Sequence, residues 1–314
     1  MPASSSSASP SAKTAAWISE RMQAMILAAG FGTRLLPHTL LRPKPLFPIL
    51  NRPLLLLTVE RLQNAGFDRI IVNCHHLGEQ IVDLLHGMAG VTVLAEETIL
   101  GTGGGLRGAL PYLHDAPLLV TNGDIYHDFD FARLHAEHEQ RGDRVSLAVH
   151  DCLRFNNVRV EAGRGITAFG ASGQDCLAFT GLHVIDPGIL EDIAPGRYSC
   201  ILDRYRQLLA LGEQIAAVRV KGYWTDMGTP ADYLALHGGL LTGAIPRWPE
   251  IGGEEGTAFV CGPGTRLDAE PEWEDWCCLG DVELGVGVHL ARVVAWDGVR
   301  IASGCRLADV LLSA

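Results

Sequence analysis

The chain has 314 residues, 47% of them hydrophobic and 19% charged, with a formal net charge of −11. That length accommodates one large domain and a small appendage, and the acidic balance excludes general affinity for nucleic acid or an anionic membrane surface. Phosphate can be held only by a few well-placed cations in such a protein, and the lysines are just three: Lys13, Lys44 and Lys221.

The first residues, MPASSSSASPSAKTAAW, are rich in Ser and Ala and lack an apolar core, so 1–23 reads as a disordered leader and not as a secretory signal. Met25 to Ala29 is a short apolar run ending in glycine, the pattern of a buried strand. Pro53 to Ala65 has helical spacing, Arg69 to Asn73 is β-branched and strand-like, and Gly78 to Leu85 is helical again. A third strand is expected at Val91 to Ala95, a helix from Gly105 to Leu110, and a fourth strand at Leu118 to Thr121, followed by Asn122, Gly123 and Asp124. Strands alternating with helices imply a mainly parallel, Rossmann-like sheet with helices on both faces, and ligands in such folds sit beyond the carboxyl ends of the strands. Gly30 onward, Glu96 to Gly105, and Asp124 all fall at such ends.

From Asp281 the texture changes. Units beginning at Asp281, Gly287, Arg292, Gly298 and Gly304 repeat at steps of six, five, six and six residues, with apolar residues two apart. This is the pattern of a short β-helix-like segment, each coil a flat rung stacked on the next. The expected organisation is a leader over 1–23, a Rossmann-like α/β domain over 24–245, a linker over 246–278 and a hexapeptide-type left-handed β-helix over 279–314. The eight cysteines are scattered without a C-x-x-C pair, so metal-ligand spacing is absent and reduced thiols in a cytoplasmic protein are expected. No run reaches the ~18 apolar residues of a membrane helix.

The richest segment is LAAGFGTRLLPHTLLRPKPLFPI, Leu27 to Ile49. Glycines at 30 and 32 permit a sharp turn and close approach to a ligand, and successive N–H groups there can cradle phosphate oxygens. Arg34 adds a bidentate fork, and Lys44 a compact charge aimed by Pro43 and Pro45. The segment is neither the dinucleotide fingerprint nor a Walker loop, because Gly-Lys-Ser/Thr is missing. His75 and His76, adjacent on extended backbone, should point to opposite faces and make a poor chelate. Trp273 and Trp276 read as interdomain packing.

LAAGFGTRLLP followed by RPKPL closely resembles the signature of the sugar-1-phosphate nucleotidyltransferases. GTGGGLRGALPYL, LLVTNGDIYHD, AFTGLHVID and GYWTDMGTPADY follow in the family's order. The TGGG and VTNGD forms are most similar to N-acetylmuramate-1-phosphate uridylyltransferases, and the tail is more similar to mannose-1-phosphate guanylyltransferases. The resemblance implies transfer from a nucleoside triphosphate, UTP or GTP, to a sugar 1-phosphate with release of pyrophosphate. Ala28, Ala29, Gly30, Gly32 and Thr33 would line the nucleotide, Arg34 and Lys44 would hold its phosphates, and Glu96, Thr102 and Gly103 would meet the base. Asn157, Thr180, Gly181, Lys221 and Trp224 would face the sugar phosphate. Asp124 and Asp226 would bind Mg²⁺, a hard ion commonly held by one or two carboxylates plus phosphate oxygens and waters. Many relatives carry a lysine between these aspartates that grips the sugar phosphate, but residues 125–179 contain none, leaving Arg154, Arg159, Arg164 or Lys221 to substitute. A non-catalytic subunit of the same fold is the competing reading, and self-association would use the C-terminal segment.

Overall fold

The computed structural model describes residues 22–254 and 256–314. Most of the expected leader therefore lies outside the described residues, but Met22 and Gln23 already belong to the first strand. The elements in chain order are β1 (Met22–Leu27), α1 (Leu54–Asn64), β2 (Phe67–Cys74), α2 (Gly78–Leu85), β3 (Val91–Ala95), α3 (Gly101–Ala109) and β4 (Leu118–Asn122). They continue with α4 (Phe131–Arg141), β5 (Val145–His150), β6 (Val158–Glu161), β7 (Gly165–Phe169), β8 (Cys176–Ile185), α5 (Ile201–Ala210), β9 (Ala216–Arg219) and α6 (Pro230–Thr242). Helix α3 starts four residues before the expected Gly105, because the glycines that argue against a helix are where another segment crosses it.

The strands β1 to β9 form one nine-stranded sheet in which β1 lies between β2 and β4, parallel to both. Strand β3 extends the parallel part, whereas β8 runs antiparallel to β4 and β5. Side chains of β1 alternate between two cores, as the two-residue period of a strand requires. Ala24 and Ile26 pack with α1, α2 and α4, while Met25 packs with α3 and α5. Burial on both faces explains why these strands read as continuous apolar runs. The chain moves from β1 to β2 and β3 on one side, then returns to β4 on the other. The carboxyl ends of β1 and β4, where Leu27 pairs with Asn122, therefore form the topological switch point at which open α/β sheets bind ligands.

The C-terminal coils contain β10 (Glu272–Leu279), β11 (His289–Ala295) and β12 (Arg306–Leu312) stacked in parallel. Phe259–Val260 pairs with β10, and Arg266–Leu267 begins a second stack, so the expected linker 246–278 carries a coil of its own. Its prolines and its WEDW run hide the apolar period there. Registers such as Arg266 with Glu283 and Arg300 place like positions of successive coils opposite each other. Charges alternate up the stack: Arg266, Glu283, Arg300 on one edge and Asp275, Arg292, Asp309 on another. These pairs are exposed and fix coil register more than they add stability. Trp276 is buried against Gly238 of α6, as interdomain packing requires, whereas Trp273 is half-exposed against Phe259.

Candidate active site

A cavity of about 330 Å³ opens at the switch point. Ala28, Ala29, Gly30, Gly32, Thr33, Arg34, Lys44, Thr102, Asp124 and Gly228 contribute to its wall. Lys44 sits in a short 3₁₀ turn after Pro43 and is buried, only 5% exposed. Its ammonium donates to Asp124 Oδ2 at 2.6 Å and to the Asp226 carbonyl at 2.7 Å. A buried ammonium needs such partners, and here they are the two aspartates singled out from the sequence.

The aspartates are brought together by a two-residue antiparallel ladder, in which Tyr126 pairs with Thr225 and His127 with Trp224. Asp226 is then oriented by its own turn: Gly228 N–H donates to Oδ1 at 3.1 Å, and the Arg34 guanidinium stands 3.5 Å from Oδ2. A Cβ at Gly228 would lie 2.5 Å from Arg34 Nη1 and 2.9 Å from Asp226 Oδ2, so a side chain there would push the guanidinium away from Asp226. His127, three residues beyond Asp124, is fully buried, and its Nδ1 accepts from the Phe129 N–H at 3.0 Å. It braces the ladder.

Glu96 does not reach this cavity. Its Oε1 accepts from Asn73 Nδ2 at 2.7 Å and its Oε2 from the Leu100 N–H at 3.0 Å, so both carboxylate oxygens are engaged within the protein. Asn73 in turn accepts from the Ala28 N–H at 2.9 Å. Asn73, which no motif singles out, lines the cavity and links Glu96 to the glycine-rich turn. Gly103 is likewise buried and donates to the Ser199 carbonyl at 2.8 Å, while Thr102 Oγ1 accepts from the Ile201 N–H at 3.0 Å. The GTGGG run is glycine-rich because residues 197–201 cross it: a Cβ at Gly104 would meet the Arg197 carbonyl at 2.5 Å.

A Cβ at Gly105 would stand 2.7 Å from Asn73 Nδ2 and 2.9 Å from Glu96 Oε1, splitting that hydrogen bond. Gly→Ala inside a helix ordinarily stabilises by up to ~1 kcal/mol. Here Gly105→Ala is expected to weaken nucleotide binding about tenfold, the cost of one misplaced buried hydrogen bond. Titration calorimetry with a nucleoside triphosphate measures it, and affinity equal to wild type would refute the role given to Asn73 and Glu96.

His75 and His76 do not diverge. Both rings contact the exposed Phe31 of the glycine-rich turn, at 5.7 and 5.8 Å between centroids. Their other contacts are backbone carbonyls, Glu96 for His75 and Thr39 for His76. They strap the turn to β2.

A second cavity of about 320 Å³ lies on the other side of Asn122, which lines both. Asn157, Thr180, Gly181, Trp224 and Asp226 contribute to it, with Phe155, Phe169 and Phe179. Thr180 Oγ1 donates to the Ala148 carbonyl and the Thr180 carbonyl accepts from Trp224 Nε1, so Thr180 holds the wall more than it offers a free hydroxyl. Lys221 is exposed and lies outside both linings. Arg154 pairs with Asp232 at 2.7 Å and Arg164 with Glu161 at 3.1 Å, and neither lines the cavity. The cation that does line it is Arg206, which is paired with Asp203 at 2.6 Å. It stands four residues after Leu202 on the same face of α5.

The nucleotidyl transferase family model matches residues 23–242. The chain belongs to the nucleotidyl transferase family. It is therefore an enzyme of the nucleotidyltransferase class. A mannose-1-phosphate guanylyltransferase of Mycobacterium tuberculosis (strain ATCC 25618 / H37Rv) is 29% identical over 303 residues, covering 91% of this chain and 82% of that protein. The catalytic subunit beta of the Xenopus tropicalis mannose-1-phosphate guanylyltransferase is 30% identical, covering 74% and 69% respectively. The crystal structure of HddC from Yersinia pseudotuberculosis complexed with GMP-PN superposes with a TM-score of 0.59 at 24% identity. It covers 69% of this chain and 98% of that one, a likeness of fold.

Proposed function

We propose that this nucleotidyltransferase joins a nucleoside triphosphate to a sugar 1-phosphate and releases pyrophosphate, with GTP and mannose 1-phosphate as the pair. The observation that carries the reaction is the arrangement of two similar cavities about Asn122, with Asp124 lining one, Asp226 the other, and the Lys44 ammonium bonded to both residues. The choice of GTP and mannose phosphate rests on the relatives that share most of the chain's length.

The sugar phosphate oxygen attacks the α-phosphorus in line, one P–O bond forming as the bond to pyrophosphate breaks, with no covalent enzyme intermediate. The protein's contribution is orientation and charge. Lys44 and Arg34 meet the triphosphate, glycine-turn N–H groups cradle it, and the aromatic wall of the second cavity positions the sugar. Among the described residues no three His, Cys, Asp or Glu side chains stand close enough to cage a metal. Two carboxylates at one junction instead suit a hard divalent ion, Mg²⁺, completed by phosphate oxygens and water. Asp124 and Asp226 would hold it, and when bound it would neutralise charge on the reacting phosphates.

No described helix is long and apolar enough to cross a membrane. The eight free cysteines suit the reducing cytoplasm, where we place the enzyme.

The test is pyrophosphate release across five nucleoside triphosphates and a panel of sugar 1-phosphates with Mg²⁺. Turnover confined to GTP with mannose 1-phosphate is expected; preference for another pair would overturn the substrate assignment, and no turnover with any pair the catalytic one. In the same assay Arg206→Gln should raise KM for the sugar phosphate about tenfold, the scale of one charge-assisted hydrogen bond, and leave KM for the triphosphate unchanged. An unchanged sugar-phosphate KM would remove Arg206 from the site.

A further inference from the structure

The C-terminal coils touch the catalytic domain at the segment that carries Arg34 and Lys44. Residues 33–47 contain three 3₁₀ turns, Thr33–Leu35, His38–Leu40 and Lys44–Leu46, whose backbone hydrogen bonds close within each turn and do not tie one turn to the next. Short 3₁₀ turns have poor internal geometry and depend on neighbours. One side of the segment is pinned to the loop after β2 and to α2, by His76 to the Thr39 carbonyl at 2.6 Å and by Gln80 Nε2 to the Leu41 carbonyl at 2.9 Å. The other side rests on the coils.

Trp296, directly after β11, is the centre of that second contact and is only 3% exposed. The Arg42 guanidinium lies over its ring at 4.9 Å, and Phe47 packs edge-on at 4.6 Å. Arg42 and Phe47 flank Lys44 in the chain, so one indole supports both sides of the lysine. The His38 ring is 5.8 Å from the same indole and is hydrogen-bonded to Ser313 Oγ at 2.8 Å, in the coil's last residues. Trp296 Nε1 donates to Tyr233 Oη at 3.2 Å, and Tyr233 Oη donates to the Pro48 carbonyl. Tyr233 lies on α6, the helix that begins four residues after Asp226. The indole is thus tied to the lysine segment and to the helix following the second aspartate.

We infer that Trp296, with Ser313, is a positioning element for the phosphate-binding cations: the C-terminal coils set where Arg34 and Lys44 stand when the triphosphate arrives. The inference rests on the reading of Arg34 and Lys44 as partners of the triphosphate. It assigns the appendage a task in the reaction, distinct from self-association or from a site of its own. Arg42 and Ser313 are half-buried and belong to none of the apolar cores, so altering them leaves the core packed and separates positioning from folding.

The experiment compares wild type, the double variant Arg42→Gln/Ser313→Ala, and Trp296→Phe, which keeps a ring against Phe47 but loses the N–H and the larger face. Initial rates are measured with each substrate varied in turn, beside thermal melting and amide hydrogen exchange of residues 33–47 in the free enzyme. The double variant should raise KM for the triphosphate about tenfold, ~1.4 kcal/mol, with KM for the sugar phosphate and the melting temperature near wild type. Arg42→Lys in place of Gln should recover part of the loss, because an ammonium also sits on an indole face. Exchange over 33–47 should be faster in both variants. Unchanged exchange overturns the inference, as does a KM for triphosphate equal to wild type, or a rise in both KM values together. If wild type turns over no substrate pair, the substrate reading fails by itself and the exchange measurement still decides this one.

Discussion

Replacing Lys44 with Met is expected to lower kcat/KM by about 10²–10³-fold, the cost of removing one preorganised charge from a reacting phosphate. Methionine fills the same channel, so a folded protein should result and melting should confirm it. The loss has two parts. The triphosphate loses an ammonium that is buried and already aimed, with no side-chain entropy left to surrender at binding. Asp124 and the Asp226 carbonyl also lose the group that donates to both of them, at 2.6 and 2.7 Å. Lys44→Arg should recover little, because a planar guanidinium cannot replace a compact ammonium that donates in two directions from a buried hole. Asp124→Ala should be nearly as costly, and the double variant Lys44→Met/Asp124→Ala should cost much less than the sum. Fully additive losses would show that the two residues act independently and would sink the junction described here. Activity of Lys44→Met within a few-fold of wild type would remove the lysine from the chemistry.

How much of this was legible before the fold? Lys44, Asp124 and Asp226 were, because each stands in a run whose prolines or glycines fix the backbone around a single charged residue. The coil was legible too: the steps of six, five and six residues from Asp281 add up to the spacing at which Arg266, Glu283 and Arg300 stack. What stayed hidden depends on contacts between distant segments. Glu96 has the right place in sequence to meet a base, but Asn73, 23 residues earlier, takes one of its oxygens. Gly103 to Gly105 look like a ligand loop, yet their missing side chains make room for residues 197–201, Asn73 and Glu96. Nothing in the sequence separates Arg206 from Arg154, Arg159 or Arg164, because only the packing of α5 against the second cavity brings it to the lining. The coil over 259–279 was missed for a local reason, since prolines and acidic residues interrupt the apolar alternation that marks the later coils.

Lowering the pH from 7.5 to 5 should destabilise the protein steeply, because at least three histidines are buried in their neutral form. Burial holds His183 down to about 3 and His237 down to about 4, and burial with the nearby Arg61 charge holds His127 well below its ordinary range. The sign follows from which state takes up protons. Below about 6.5 the unfolded chain protonates these imidazoles while the folded protein does not, so stability falls as pH falls until the folded values are reached. Each such group contributes about 1.4 kcal/mol per pH unit across that window. Three together amount to roughly 4 kcal/mol per unit, against a total of about 5–15 kcal/mol for a typical domain. His237 is fixed as the Nδ1–H tautomer, because Nε2 accepts from the Leu50 N–H at 3.4 Å, leaving Nδ1 to donate to the Tyr233 carbonyl at 3.0 Å. Protonating it at Nε2 would set two N–H groups against each other and break the Leu50 bond to α6. His183 has no hydrogen-bond partner at either nitrogen among the described residues, and replacing it removes one proton-linked group without breaking a bond. Urea denaturation of wild type and His183→Leu at pH 7.5, 6 and 5 gives the answer. The variant should lose stability with falling pH more slowly, by one group's worth, and be relatively most stable at pH 5. Parallel pH dependences would mean that His183 does not stay neutral in the folded protein, and the account of its burial would be wrong.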